Sequence, residues 1–479
     1  MTMTASDPLL HALELELPIV ERRPVLPAGF TAGATTAGIK ASGRPDLALI
    51  RTTGGPASAA AVFTTNQFPA APVLVSRTNL AASLRSGGNT SLDLPPDVRP
   101  GSPDDPDSGR YGYAEAIIST SGSANAATGM DGMMDQLSIS MATAMTLGVD
   151  PLKVLCLSTG IIGTRLPVEK VKAGISAAAP ALAATDEALL AAAEALRTTD
   201  SVTKTATTPV RLPSADGGSV EVRVSGIAKG VGMIHPRMAT MLSVITTDAA
   251  IEPLVLSRLV RPVIARTWNQ LTVDGDTSTN DTVFVLASGA SGAAPVELGT
   301  PAAETLRGAI EAVARDLARQ QAADGEGASS LITVQVTGAA DDADARAVAR
   351  AVASSSLVKA AVHGHDPNWG RIAGAAGNAR HPECELLELA GMSHDEACRK
   401  AGHQVRIDPD KVRIGIAGHL VFDGSAGGPR AFDKPAASRA MDAPEVLIRL
   451  DLGMGAGRGE AFGCDLTEEY VRENSEYTT

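Results

Sequence analysis

Short apolar runs closed off by Gly and Pro alternate with longer Ala-rich stretches along the chain, and that alternation dictates stacked layers of strand and helix. The N-terminal third reads as strands at 47–52 (LALIRT), 59–65 (AAAVFTT), 72–76 and 115–120 (EAIIST). A polar stretch rich in Pro and Gly, 84–112, interrupts them as a solvated loop. Met134, Leu137, Met141 and Met145 recur at helical spacing and predict a helix with those side chains in the core. A strand at 153–158 leads through the turn TGIIGTRLP to helices near 168–179 and 186–197, the second capped by Thr185. A hairpin at 208–212 and 219–225 follows, then a helix at 252–267, a strand at 282–288, a helix at 302–321 and a strand at 331–337. The C-terminal quarter adds a helix at 342–353, strands at 412–416 and 445–451, and a helical segment at 466–473. The pattern predicts a layered α/β or α+β sandwich without internal repeats.

Composition sets the materials. The chain has 479 residues, room for two to four domains or one large layered one. Aromatics are only 3%, so the core must be built from Ala, Val, Leu, Ile and Met. Acidic residues outnumber basic ones, 54 to 41, for a net charge of −13, which leaves no basic surface for nucleic acid. No run approaches the ~18 apolar residues of a membrane-spanning helix. The first thirty residues carry Asp7, Glu14, Glu16 and Glu21, without a signal or transit peptide pattern. Four cysteines are too few for a disulfide scaffold, and a cytoplasmic protein is the expectation.

Three segments carry candidate chemistry. GMGAGRGE at 453–460 has glycine spacings found in dinucleotide loops, but no helix follows, and it reads as a turn joining strands. His381, Cys384, His394, Cys398 and His403 fall within 381–403 at spacings that zinc accepts. The simpler reading is a helical insertion, capped by Ser393 with Glu396 and closed by Gly402, with no metal. The passage 226–247, GIAKGVGMIHPRMATMLSVITT, sets Thr240 at the head of a strand after a tight Gly- and Pro-bearing approach. A strained Ala239–Thr240 amide there is open to attack by the Thr240 hydroxyl. An N→O acyl shift and hydrolysis would free an α-amine, a group that ordinarily titrates at ~7.7–8.0 and is suited to act as a general base. Nucleophile and base would then belong to one residue. A plain turn leading into a strand is the alternative.

Five longer motifs carry a family resemblance: KGVGMIHPRMATML at 229–242, STGIIG at 158–163, DGDTSTNDTV at 274–283, DPNWGRI at 366–372 and NSEYTT at 474–479. With them the chain resembles, over roughly 25–479, the ornithine acetyltransferase (glutamate N-acetyltransferase) family of arginine biosynthesis. The resemblance implies an α/β (α+β) fold: a layered αββα sandwich, like N-terminal-nucleophile hydrolases but with different connectivity, plus a smaller C-terminal α/β region. It implies self-cleavage between Ala239 and Thr240 into an α chain, 1–239, and a β chain, 240–479, that begins with the nucleophile Thr240.

It also implies an oxyanion hole at Thr159 and Gly160, and a substrate-binding set of Lys229, Thr240, Glu326, Asn474 and Thr479 with the stretch Thr198–Ser201. Ser201 is the member of that stretch singled out. These roles make chemical sense: Lys229 suits a substrate carboxylate, and Glu326 a substrate ammonium. The implied reaction moves the acetyl group of N2-acetylornithine to glutamate through an acyl-Thr240, with no metal or organic cofactor. Acetyl-CoA as a further donor stays open. The implied assembly is two α and two β chains. The alternatives are a related amidohydrolase of the aminopeptidase type, or a paralogue using another acylated amine. The chain departs from the family pattern at Thr120, Ser123, Ser201, Arg237 and Ser330, and in extra segments near 84–112 and 384–404.

Overall fold

The computed structural model describes residues 9, 16–86, 105, 107–235 and 241–475. In chain order the first elements are β1 (Phe30–Thr35), β2 (Leu47–Thr52), β3 (Ala57–Phe63), α1 (Ala71–Ser86), β4 (Tyr111–Ala114), β5 (Ala116–Ser123), α2 (Gly129–Leu147), β6 (Val154–Ile161), α3 (Val168–Ala178) and α4 (Asp186–Leu196). Then come β7 (Lys204–Pro213), β8 (Ser219–Lys229), β9 (Leu242–Thr247), α5 (Pro253–Arg266), β10 (Thr282–Ala287) and α6 (Pro301–Ala323). They form a four-stranded sheet, β1-β2-β5-β6, and a six-stranded sheet, β4-β3-β10-β9-β8-β7.

The two sheets lie face to face between two helical layers, because their central strands are apolar on both faces. In β10, Val283 and Val285 pack with Leu256, Val260 and Ile264 of α5 and with Leu306, Ile310 and Val313 of α6. The alternate residues Phe284 and Leu286 point the other way, against Ala48, Ile50, Ile117 and Leu155 of the four-stranded sheet. Leu47 and Leu49 of β2 then face Ile139 of α2 and Val171 and Ile175 of α3. The order is αββα. Small residues such as Ala48, Ala59 and Ala61 make room between the sheets for Phe284 and Phe63, whose rings meet edge to face at 5.9 Å.

The chain continues through β11 (Leu331–Ala339), α7 (Asp342–Ala353), α8 (Ser356–His363), α9 (Trp369–Gly377), α10 (Cys384–Leu389), α11 (His394–Lys400), β12 (Arg413–Ile416), β13 (His419–Asp423), β14 (Gly428–Pro429), α12 (Lys434–Ala440), β15 (Glu445–Asp451), β16 (Gly457–Cys464) and α13 (Glu468–Ser475). These strands make a third sheet, β14-β13-β12-β15-β11-β16. Its apolar side chains Ile332, Val334, Ile414, Ile448 and Leu450 form a separate core with Val348 and Val352 of α7. This is the smaller C-terminal α/β region.

Three expectations fail for physical reasons. Residues 72–76, expected as a strand, lie inside α1. A five-residue apolar window cannot tell strand from helix, whereas Val73, Leu80 and Leu84 are buried at helical spacing. The Met stripe of α2, expected in the core, faces outward: Met134, Leu137, Met141 and Met145 are 58, 44, 47 and 76% exposed. The helix buries instead its opposite face, Asp135, Gln136, Ile139, Ser140, Thr143 and Leu147, whose polar groups find partners. Ser393 precedes α11 but its side chain makes no capping bond. The expected solvated loop falls partly outside the described residues, and its end, Tyr111, is fully buried in β4. Of the 453–460 glycines, Gly453 makes the turn and Gly457 opens β16. A Cβ on Gly457 or Gly459 would lie 2.2 or 2.7 Å from the backbone of Asp341 or Arg346, so close approach to the start of α7 explains them.

Phe284, fully buried between the sheets, tests the layering. Phe284→Ala should lower the unfolding free energy by about 3–5 kcal/mol in denaturant titration.

Candidate active site

The parallel strands β5 and β6 run side by side to Gly122 and Gly160, where the register slips in a bulge. Gly160 has φ 129°, and a Cβ there would lie 2.4 Å from the carbonyl carbon of Gly122. Only glycine allows this approach, and it carries the strand end, with the Thr159 hydroxyl, to the edge of a cavity. Asn280, just before β10, fastens the ends from the other sheet. Its amide donates to the carbonyls of Ala124 and Ser158 at 2.7 and 2.8 Å.

Lys229 is the last residue of β8 and 3% exposed. Its Nζ donates to Thr159 Oγ1 at 2.8 Å and to Thr198 Oγ1 at 3.3 Å. Because Thr159 Oγ1 accepts that bond, its own proton is left to point elsewhere. Burial pushes the Lys229 ammonium below the ordinary lysine range, while Asp200, Asp281 and Glu326 push it back up.

A buried network positions the residues around Lys229. Lys204, fully buried, donates to Asp200 at 2.7 Å and to Asp324 at 2.5 Å. Asp200 also accepts from the backbone of Gly230 at 2.8 Å and of Thr198 at 3.1 Å, so it fixes both sides of Lys229. Burial alone would raise the Asp200 carboxyl, but the charges of Lys204 and Lys229 overcome it and hold it down at about 2. Asp281 differs: burial pushes its carboxyl well above the usual range, although Oδ1 accepts from the Met241 backbone at 2.9 Å.

Across the cavity, Glu326 Oε1 accepts from Thr199 Oγ1 at 2.9 Å and Oε2 from Asn474 Nδ2 at 3.0 Å. Its backbone is tied to Val231 at 2.8 Å. A Cβ on Gly232 would sit 2.0 Å from Glu326 Oε2, so this glycine makes space for the carboxylate. The cavity, about 240 Å³, is lined by Thr159, Gly160, Thr198, Thr199, Lys229, Gly232, Asn280, Glu326 and Asn474. A cation and a carboxylate thus face one small volume beside a hydroxyl and a glycine backbone. That suits a zwitterionic guest.

The structure therefore brings together Thr159, Gly160, Lys229, Glu326 and Asn474. Ser201 stands apart from the lining and hydrogen bonds Asp324. Ala239, Thr240, Arg237 and Thr479 lie outside the described residues. Sequence reasoning gave no individual role to Asp200, Lys204, Asp281, Asn280 or Gly232, although Asp200 falls in the stretch Thr198–Ser201 and Asn280 and Asp281 in DGDTSTNDTV. A signal was present in TTDSVTK at 198–204, where an acid and a lysine stand four apart, but burial of both was not legible. The departures at Thr120, Ser123 and Ser330 do not line the cavity. The Thr120 hydroxyl donates to Ser158 at 3.1 Å, that of Ser123 to the Thr164 carbonyl at 2.7 Å, and the Ser330 backbone to Asp465 at 3.0 Å.

The ArgJ family model matches residues 31–479. The arginine biosynthesis bifunctional protein ArgJ of a Synechococcus species is 43% identical over 459 residues, 95% of this chain and 96% of that protein. The protein of the same name from Thermus thermophilus is 42% identical over 456 residues, 95% and 99% of the two chains. A crystal structure of the Bacillus halodurans ArgJ protein is 38% identical over 49% of this chain and 99% of that one, with a TM-score of 0.43. The chain belongs to the ArgJ family.

Asp200 makes the network testable by pH. Its carboxyl titrates near 2 when folded against 3.8 ordinarily, so the stability it supplies is present above pH ~4 and is lost as pH falls through about 2. Asp200→Asn should cost about 2 kcal/mol at neutral pH, and the deficit should shrink to nothing toward pH ~2 in unfolding curves taken along a pH series.

Proposed function

We propose that the chain cuts itself before Thr240 and then acts as a glutamate N-acetyltransferase, carrying the acetyl group of N2-acetylornithine to glutamate. The observation that carries this reading is the pairing of buried Lys229 with Glu326 around one cavity beside Thr159 and Gly160. An N2-acylated diamino acid has a carboxylate for Lys229 and a side-chain ammonium for Glu326. Membership of the ArgJ family, whose cited relatives are named arginine biosynthesis proteins, supports the same reading.

The chemistry divides into two transfers. The Thr240 hydroxyl attacks the acetyl carbonyl and gives its proton to its own free α-amine. The oxyanion is met by the Thr159 hydroxyl, whose oxygen is already engaged by Lys229, and by the Gly160 N–H. Collapse breaks the amide, the proton passes to the leaving nitrogen, and ornithine departs from acetyl-Thr240. The α-amine of glutamate then attacks the ester, and Thr240 leaves with its proton restored. Lys229 serves the α-carboxylate in both halves. Asn474 orients Glu326 through the bond to Oε2. The products of cleavage are chains 1–239 and 240–479, assembled as two of each in the cytoplasm.

Cleavage is checked directly. Denatured wild-type protein should run as two pieces of nearly equal size, and the second should begin Thr-Met-Leu-Ser. Thr240→Ala should leave one uncut, inactive chain. Full-rate acetyl transfer by an uncut chain would reject the free-amine mechanism.

The ammonium site has its own test. Glu326→Gln and Gly232→Ala should both raise KM for N2-acetylornithine by about 10–100-fold, the cost of one charge-assisted hydrogen bond. Self-cleavage should survive in both, as read by denaturing electrophoresis.

A further inference from the structure

Outside the lining of the cavity, α10 and α11 form a short helical hairpin that turns at Gly391. One side of it is anchored. Leu387 and Ala397 pack on Ala343 of α7, Lys400 pairs with Asp341 and Asp344, and Glu385 pairs with Arg110. Each helix carries two donors four residues apart, one helical turn: Cys384, which also packs against that cluster, and Glu388 on α10, and His394 and Cys398 on α11.

The four donors converge. His394 Nδ1 hydrogen bonds Glu388 Oε1, Cys384 Sγ lies 3.6 Å from the same oxygen and 4.0 Å from Nδ1, and Cys398 Sγ lies 3.8 Å from Nε2. One ligand atom from each of Cys384, His394 and Cys398 falls within 4.8 Å of the others. The two sulfurs are joined as a disulfide, with Cα atoms 4.9 Å apart. A disulfide accounts for the sulfurs but gives no reason for an imidazole and a carboxylate to meet at the same point. Two thiolates, an imidazole and a carboxylate are the tetrahedral set of a soft divalent cation.

We propose that the reduced hairpin binds one Zn²⁺ through Cys384, His394 and Cys398, with Glu388 as fourth ligand. Disulfide and metal are mutually exclusive states of the same sulfurs. Opening the disulfide with a phosphine consumes one phosphine and one water, giving the phosphine oxide and two thiols. Zinc binding then releases the two thiol protons. The other cysteines do not compete: Cys156 and Cys464 are buried, and burial pushes the Cys156 thiol up to about 12.

The test uses the full chain, reduced with a phosphine, freed of reductant and equilibrated with zinc under nitrogen. Metal analysis should find one zinc per chain in the wild type and none in Cys384→Ser/Cys398→Ser. His394→Ala should weaken zinc by at least ~10-fold, on the scale of losing a group that shapes a metal site. Co²⁺ in place of zinc should show thiolate charge-transfer absorption that the double serine variant lacks. The double variant should keep full acetyl transfer, since none of these residues lines the cavity. Zinc retained by that variant, cobalt without thiolate bands, or a disulfide that resists the phosphine would each overturn the proposal.

Discussion

A buried ammonium needs anions close by, and much of the site follows from meeting that need at Lys229. The residue ends β8 in the six-stranded sheet, yet its Nζ bonds Thr159 at the end of β6 in the four-stranded sheet. One hydrogen bond of 2.8 Å therefore spans the sandwich at the cavity. Taking such a charge out of water is costly unless partners are fixed in place. Asp200 is held for this purpose by Lys204 and by the Gly230 backbone, and Lys204 is itself held by Asp324. The network is rigid because each member satisfies two others, which keeps the cavity wall from collapsing onto the space a guest needs.

Much of the scaffold was legible because period and boundary signals agreed. The strands at 47–52 and 445–451 and the helix at 342–353 appear with the ends read from sequence. Where signals were one-sided, reading failed. The Met stripe of α2 has a helical period, but a period does not say which face is inward. There the sheet receives Gln136, Ser140 and Thr143, and the methionines remain outside. β16 was hidden because its glycines look like a turn, whereas they are needed where the strand runs against α7.

In the site, long motifs located Thr159, Gly160, Lys229 and Asn474, the family resemblance added Glu326, and one cavity gathers all five. The residues that hold them were not legible. Asp200 and Lys204 look like ordinary surface charges in a polar stretch, and only tertiary packing buries them. Gly232 looks like turn chemistry, although a Cβ there would stand only 2.0 Å from Glu326 Oε2. Most of the residues that line the cavity fall in recognisable strings, while those that position them act through contacts distant in sequence.

The strand order of the six-stranded sheet has a consequence for a chain severed between β8 and β9. From one edge to the other the sheet runs β4, β3, β10, β9, β8, β7. The inner pair, β10 and β9, would belong to the later fragment, and both flanking pairs to the earlier one. Each fragment would then supply strands that the other surrounds, joined by two ladders: β3 with β10 and β8 with β9. Severing the backbone there would leave the halves joined, because neither half owns the whole of this six-stranded sheet. Such a molecule behaves as an interlocked pair, whose parts would have to unravel before they could drift apart.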